Sequence, residues 1–347
     1  MSAISHNYSG CAVLDPDFNG SQQHNTGNKD LAEVVWVILG PLILTIGLFG
    51  NLLILVLMNR RFLCGTTTSV YLRTMAAADI CALISGIIPE VLEAANIIVI
   101  KESHPVACKL EKFIFYTSAD TSMWILVIFT IDRFLAVCFP LTFRSTSSLF
   151  RARAAATGAF VIAICKSLHV FWTRGAEYHV LDGVDELLLV SNCGHPTLAF
   201  KHFECLVRPW IVFVVVDAGP FVFILTSNVF IVLEIRKLVN DETFLSSNNS
   251  RQLVQLSLMC LSASFCFLIC ITPSIVLLIG RPHWTQPHLI SGYTTAKAFN
   301  NVLVYVHHSA NFFLYCITGK RFRAALWALF HGEMSGNVDE TGVFPIA

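Results

Sequence analysis

The 347-residue sequence predicts an all-α membrane protein, a bundle of seven transmembrane helices followed by a short amphipathic C-terminal helix. Three observations lead there. The composition is 55% hydrophobic and only 13% charged, with a mean hydropathy of +0.65, beyond what a soluble domain of this length needs for a core. Seven apolar runs are each long enough for a bilayer core of about 30 Å, which takes about twenty helical residues. Finally, the short connections sort their basic residues to one side.

The first run, 33–58, follows a polar segment, 1–32, that shows no signal peptide, so the first helix is expected to act as its own insertion signal. Asn59, Arg60 and Arg61 close it, and a second run covers 68–97 with Pro89 inside. The third, 105–139, opens near Cys108 and ends on Asp132-Arg133-Phe134; the Ser/Thr segment after Arg144 separates it from the fourth, 152–172. A fifth at 207–238 contains Pro220, a sixth at 252–280 contains Pro273, and a seventh at 291–317 ends on Asn311-Phe-Phe-Leu-Tyr315. Beyond it Phe322, Leu326, Leu329 and Phe330 recur at helical spacing beside Lys320, Arg321 and Arg323, the pattern of a helix lying on a membrane. The chain therefore divides into an extracellular segment 1–32, a seven-helix domain 33–317 and a cytoplasmic segment 318–347. No internal repeat or second domain is visible.

Orientation follows from Lys and Arg, which stay cytoplasmic in short loops. Arg60 and Arg61, then Arg144, Arg151 and Arg153, then Arg236, Lys237 and Arg251 occupy the first, third and fifth connections, and Lys320, Arg321 and Arg323 follow the last helix. The opposite loops mix their bases with acids. This places the amino terminus outside and the chain in the plasma membrane, where Asn7-Tyr-Ser9 and Asn19-Gly-Ser21 are acceptors for N-glycosylation. A formal net charge of zero argues against a nucleic-acid partner. Cys11, Cys108, Cys193 and Cys205 fall on the oxidising side and allow three pairings. Cys108 with Cys193 is favoured, because that bridge would hold the long second outer loop over the bundle; Cys11 with Cys205 stays open.

Ionisable residues inside a bilayer are expensive, about 2.5–3.5 kcal/mol for a carboxylate at mid-helix. Asp79 is such a residue, and Asn51, Ser122 and Asn311 lie at similar depth on other helices. The cluster reads either as hydrogen-bonded glue between helices or as a cation or proton site, with Na+ the candidate ion. His307 and His308, placed beside Asp79, would tie activation to pH through imidazole protonation. Arg133 lies 25 residues past Cys108, about 37 Å down a helix. At that boundary it is either a snorkelling anchor or a contact for a partner protein.

Taken in order, these residues resemble the class A, rhodopsin-like G protein-coupled receptors over all seven helices. Gly50-Asn51 and Met75-Ala-Ala-Ala-Asp79 are similar to the family's helix 1 and helix 2 motifs, and Asp132-Arg133-Phe134 to its Asp-Arg-Tyr motif. Phe267-Leu-Ile-Cys270-Ile-Thr-Pro273 resembles the helix 6 hinge, Pro220 the helix 5 proline, and Asn311-Phe-Phe-Leu-Tyr315 the Asn-Pro-x-x-Tyr motif. The departures are Ile271 for the usual Trp, Phe312 for Pro and Asn228 for the helix 5 Tyr. With Gly319-Lys-Arg-Phe-Arg323, these look most like the invertebrate FMRFamide-receptor-like neuropeptide receptors.

The resemblance implies an extracellular peptide ligand, a heterotrimeric G protein and arrestin as partners, and coupling and switching at Asp132, Arg133, Phe134, Phe267, Pro273, Asn311 and Tyr315. No acidic residue opens helix 6, so Asp132 is the nearest candidate partner for Arg133. Phe115 stands where amine receptors carry an Asp, and Tyr305 where opsins carry the retinal Lys, which disfavours both ligand classes. Glu90 and Glu93, one turn apart, with Glu111, Asp120 and Asp217, can form an acidic mouth for a basic peptide. The bland alternative for each acid is pairing with a nearby lysine such as Lys101, Lys109, Lys112 or Lys297.

Two other classes fit less well. An intramembrane hydrolase needs a nucleophile and base that face one another, whereas His308 and Ser309 are neighbours on one helix. A transporter needs broken helices in corresponding halves, and none are found. A chemosensory or lipid-sensing receptor shares the fold and differs only in its pocket.

Overall fold

A computed structural model describes residues 29–60, 64–180, 187–240, 248–280 and 290–331. Seven long helices and a C-terminal short one are numbered in order: α1 Lys29–Met58, α2 Thr67–Ala94, α3 Pro105–Cys138, α4 Leu149–Ser167, α5 Leu198–Val239, α6 Asn248–Ile279, α7 Ile290–Thr318 and α8 Lys320–Phe330, with helical turns at Ile100–Ser103, Pro140–Thr146 and Val170–Thr173 between them. The glycosylation sites Asn7 and Asn19, and Cys11, lie outside the described residues.

Local chemistry sets the helix starts. Thr66 accepts from the Ser69 amide at 3.1 Å before α2, and Ser148 from the Arg151 amide at 3.2 Å before α4. Before α3 the His104 ring nitrogen accepts from Val106, and Pro105 takes the first helical position, where its missing N–H costs nothing. At the other end of the bundle Arg323 reaches back from α8 and donates to the Cys316 and Ile317 carbonyls at 2.8 and 2.7 Å, capping α7.

Among the described residues six helices, α1 to α6, are long and apolar enough to cross a membrane. On α1, Leu42, Ile46, Phe49, Leu52 and Val56 stand exposed along one face, a stripe that only lipid can cover favourably. The seventh run of the sequence differs from the other six. Although α7 has 29 residues, Asn300, Asn301, His307, His308, Ser309 and Asn311 interrupt its apolar character. It packs against α1, α2 and α6, with His307, His308, Ser309 and Asn311 all buried.

Glycines bring α7 and α1 close. A Cβ on Gly47 would run into Leu83 and the Ser309 side chain, and one on Gly50 would sit 2.8 Å from the Phe312 Cβ. Phe312, where a proline is usual in the resembling family, therefore packs its ring between Phe49 and Phe322 in the core. That core also holds Leu72, Met75, Leu126, Phe129 and Tyr315.

Helix α5 is widened twice. Phe203–Val207 and Phe213–Ala218 are π-helical, and each ends just ahead of a proline, Pro209 and Pro220. A proline ring collides with the carbonyl four residues back, and a wider turn relieves that collision. Gly219 donates to Val214 O five residues earlier, where a Cβ would strike that oxygen.

An element not expected from the sequence lies between α4 and α5: an antiparallel hairpin, β1 Gly175–Val180 and β2 Leu187–Gly194. Cys193 on β2 is disulfide-bonded to Cys108 at the start of α3, with Cα atoms 5.4 Å apart. Glu102 also holds β2, accepting from the Ser191 hydroxyl at 2.8 Å and the Asn192 amide at 2.7 Å.

Candidate functional site

Four polar clusters line the bundle. At the end covered by the hairpin, Glu90, Glu111, Phe115 and Tyr305 converge. The Tyr305 ring meets Phe115 at 5.8 Å and Trp36 at 5.7 Å, lies against Gly86, and is within electrostatic reach of Glu90 and Glu111. Glu111 pairs with Lys112 at 3.2 Å through one carboxylate oxygen, leaving buried Oε2 without a hydrogen bond. Glu93 points instead to Lys101, 3.1 Å away.

Asp120 and Asp217 do not join that group. Lys166 from α4 lies 2.5 Å from Asp120 and within electrostatic reach of Asp217, both acids being buried. A third buried carboxylate, Glu204, sits nearby among Thr173, His169, Arg174 and Arg208, each 3.1–3.5 Å away. Arg208 also covers the Tyr116 ring at 4.4 Å. Sequence reasoning missed Lys166 and Glu204 as partners. A lysine inside an apolar run was the one signal for the first.

In the middle of the bundle Asp79 is fully buried. Ser122 donates to its Oδ1 at 2.5 Å, His308 Nδ1 lies 2.7 Å from the same oxygen, and Asn311 Nδ2 donates to Oδ2 at 2.8 Å. Asn51 does not face Asp79 with its amide; it donates to the Gly47 and His308 carbonyls at 2.9 and 3.0 Å. His307 turns the other way, edge-on to Phe267 at 5.4 Å. A hard monovalent cation takes oxygen lone pairs, yet all three groups around this carboxylate are hydrogen-bond partners directed at its oxygens. The residues present do not fit Na+ at Asp79.

At the opposite end Arg133 is 3% exposed. Its Nε donates to Asp132 at 3.1 Å and its Nη2 to the same carboxylate oxygen, while the guanidinium lies 5.8 Å from the centres of the Phe129 and Phe143 rings. Tyr71 donates to the other Asp132 oxygen at 3.5 Å. The sequence leaves Arg133 as either a snorkelling anchor or a partner contact; here its guanidinium is buried and lies against Phe143. Phe134 meets Phe139 and Phe230 edge-on. Thr130 on α3 reaches Ser264 at 3.4 Å and Cys260 at 3.6 Å on α6, a link between these helices that the sequence did not single out. Tyr315 is fully buried against Phe322, and Pro273 lies within α6 near its hairpin-side end.

A buried Arg-Asp pair at one end, a disulfide-held hairpin at the other and a polar centre between them are the arrangement of a helical receptor. Residues 50–315 match the 7 transmembrane receptor (rhodopsin family) model, and the chain belongs to that family. It is a multi-pass plasma-membrane G protein-coupled receptor and not an enzyme; the family couples an extracellular ligand to a G protein. A probable G-protein coupled receptor of Caenorhabditis elegans is 22% identical over 84% of this chain and 68% of its own length. The rat growth hormone secretagogue receptor type 1 is 24% identical over 83% of this chain and 78% of its own. The Drosophila melanogaster pyrokinin-1 receptor is 25% identical over 53% of this chain and 41% of its own.

Proposed function

We propose that this protein is a receptor for an extracellular neuropeptide, of the amidated RFamide-like class, that signals by movement of α6 and activation of a heterotrimeric G protein, with arrestin as a second cytoplasmic partner. Residues 1–32 would be extracellular, with glycans on Asn7 and Asn19, and 318–347 cytoplasmic. One observation carries the ligand class: Glu111 keeps a buried Oε2 without a hydrogen bond, within electrostatic reach of Tyr305, which also interacts with Glu90 and meets Phe115. An arginine followed by an aromatic ring is complementary to that group, because a carboxylate in low dielectric binds a guanidinium strongly and the rings offer edge and face contacts. Relatives whose names specify peptide or hormone ligands favour the same reading. Asp120 and Asp217, both close to Lys166, would support the ligand site without meeting the peptide's charge.

Arg133, held by Asp132 under Phe143, would be released when α6 pivots at Pro273 and would then contact the G protein. Phe267, Asn311 and Tyr315 would transmit that pivot between α6 and α7. The test is dose-response of a panel of C-terminally amidated peptides, scored by ligand-stimulated nucleotide exchange on a G protein. An amidated Arg-Phe peptide is expected to activate, its free acid to be weaker, and Glu111→Gln to lower potency about 10- to 100-fold. Activation by small apolar molecules with no response to any peptide would refute the ligand class.

A further inference from the structure

The geometry points to His308 as a built-in substitute for a monovalent cation at Asp79: its imidazole occupies the carboxylate's first contact position, so that this receptor binds no sodium there. An ionised carboxylate only accepts hydrogen bonds, and a protonated one has a single proton to give. In either case one proton lies between His308 Nδ1 and Asp79 Oδ1, 2.7 Å apart. Ser122 takes a second position on that same oxygen at 2.5 Å, so its two lone pairs are both used. Asn311 faces Oδ2 with its amide N–H rather than with its oxygen. Both partners of the ring contact are shut off from water, Asp79 being 0% and His308 3% exposed.

Two side-chain oxygens in this neighbourhood make no hydrogen bond to Asp79 or to any other group. Asn51 Oδ1 and Asn311 Oδ1 are buried without hydrogen bonds, one on the residue that donates to the His308 carbonyl and the other on the residue that donates to Asp79. The imidazole, at 2.7 Å from Asp79 Oδ1, holds the contact that a cation on that oxygen would need. Replacing His308 with a smaller hydroxyl residue would vacate Asp79 Oδ1 and allow Asn311 to turn, which assembles the oxygen set that an alkali ion needs. The His308 side chain therefore also pins α7 to α2, and any motion of α7 away from α2 must break this contact.

The experiment is thermal unfolding of the purified full-length receptor in lipid nanodiscs, at fixed pH and ionic strength, with choline chloride exchanged for sodium chloride. It needs neither a ligand nor a G protein, so its outcome is independent of the peptide reading. The wild type is expected to hold its midpoint to within about 1 °C across the exchange. His308→Ser should gain stability with sodium, about 3 °C at ten times the dissociation constant, and Asp79→Asn combined with His308→Ser should lose that gain. A sodium-dependent rise in the wild type overturns the proposal, as does a flat response of a folded His308→Ser. If that variant does not fold, nitrogen-15 histidine resonances of the wild type decide: a hydrogen-bonded Nδ1 signal unchanged by sodium supports the proposal, and its displacement by sodium refutes it.

Discussion

Arg133 and Asp132 show how one pair of adjacent residues can hold a receptor closed. Both are buried, and a guanidinium left without its carboxylate in such a place is costly, because the desolvation of the charge is no longer offset. Asp132→Asn removes the charge and keeps the shape. It should weaken the closed state and raise basal nucleotide exchange about three- to tenfold, equivalent to about 0.7–1.4 kcal/mol. Measuring exchange without ligand at matched surface expression checks this, and a basal rate equal to wild type would count against the closing role. Asp132 was legible as the partner because it is adjacent and α6 opens without an acid. Lys166 as the partner of Asp120 was not legible, because nothing local to either residue says that α3 and α4 bring them within 2.5 Å. The same holds for His308: sequence placed two histidines near Asp79, and only packing decides that one meets the carboxylate while the other meets Phe267.

Among the elements, the contact between α1 and α7 is the most exacting. Gly50 lies against the Phe312 Cβ, backbone-attached carbon that cannot swing away, whereas Gly158 on α4 has nothing within 4 Å of where a Cβ would be. The two positions should respond with opposite sign. Gly50→Ala is expected to lose about 1–3 kcal/mol through overpacking. Gly158→Ala should gain about 0.4–1 kcal/mol through the lower entropy of the unfolded chain. Thermal unfolding in detergent separates them, and equal effects at both sites would contradict the packing described. Helix ends were read to within a few residues for α1, α2, α3, α6 and α7, since hydropathy, caps and prolines agree there. The start of α5 was placed nine residues late, at 207 rather than Leu198. Its first turns carry Lys201, His202, Glu204 and Arg208, whose polarity masks a helix that tertiary contacts support. The β-hairpin escaped notice for a related reason: its strands cover the bundle, so their pattern reflects contacts with Glu102 and the disulfide rather than a clean alternation.

The whole molecule is a bundle tied at both ends and closed at the cytoplasmic one. At that end the Arg133 guanidinium is buried, bonded to Asp132 and set against the Phe143 ring. On the proposed mechanism, α6 would move away from α3, breaking the contact of Thr130 with Ser264 and Cys260, and the Asp132 pair would open. Seven spans, their order and the membrane itself were legible from composition and periodicity, because lipid demands long apolar helices. The closed state was not, since it depends on which of two arrangements the same residues adopt. The measurement that bears most directly on this account is nucleotide exchange on reconstituted G protein by Arg133→Ala, read beside binding of a labelled amidated peptide. The predicted result is peptide binding within about threefold of wild type, less than 0.7 kcal/mol, with stimulated exchange abolished. Undiminished exchange in that variant would contradict the assignment of Arg133 as the coupling residue.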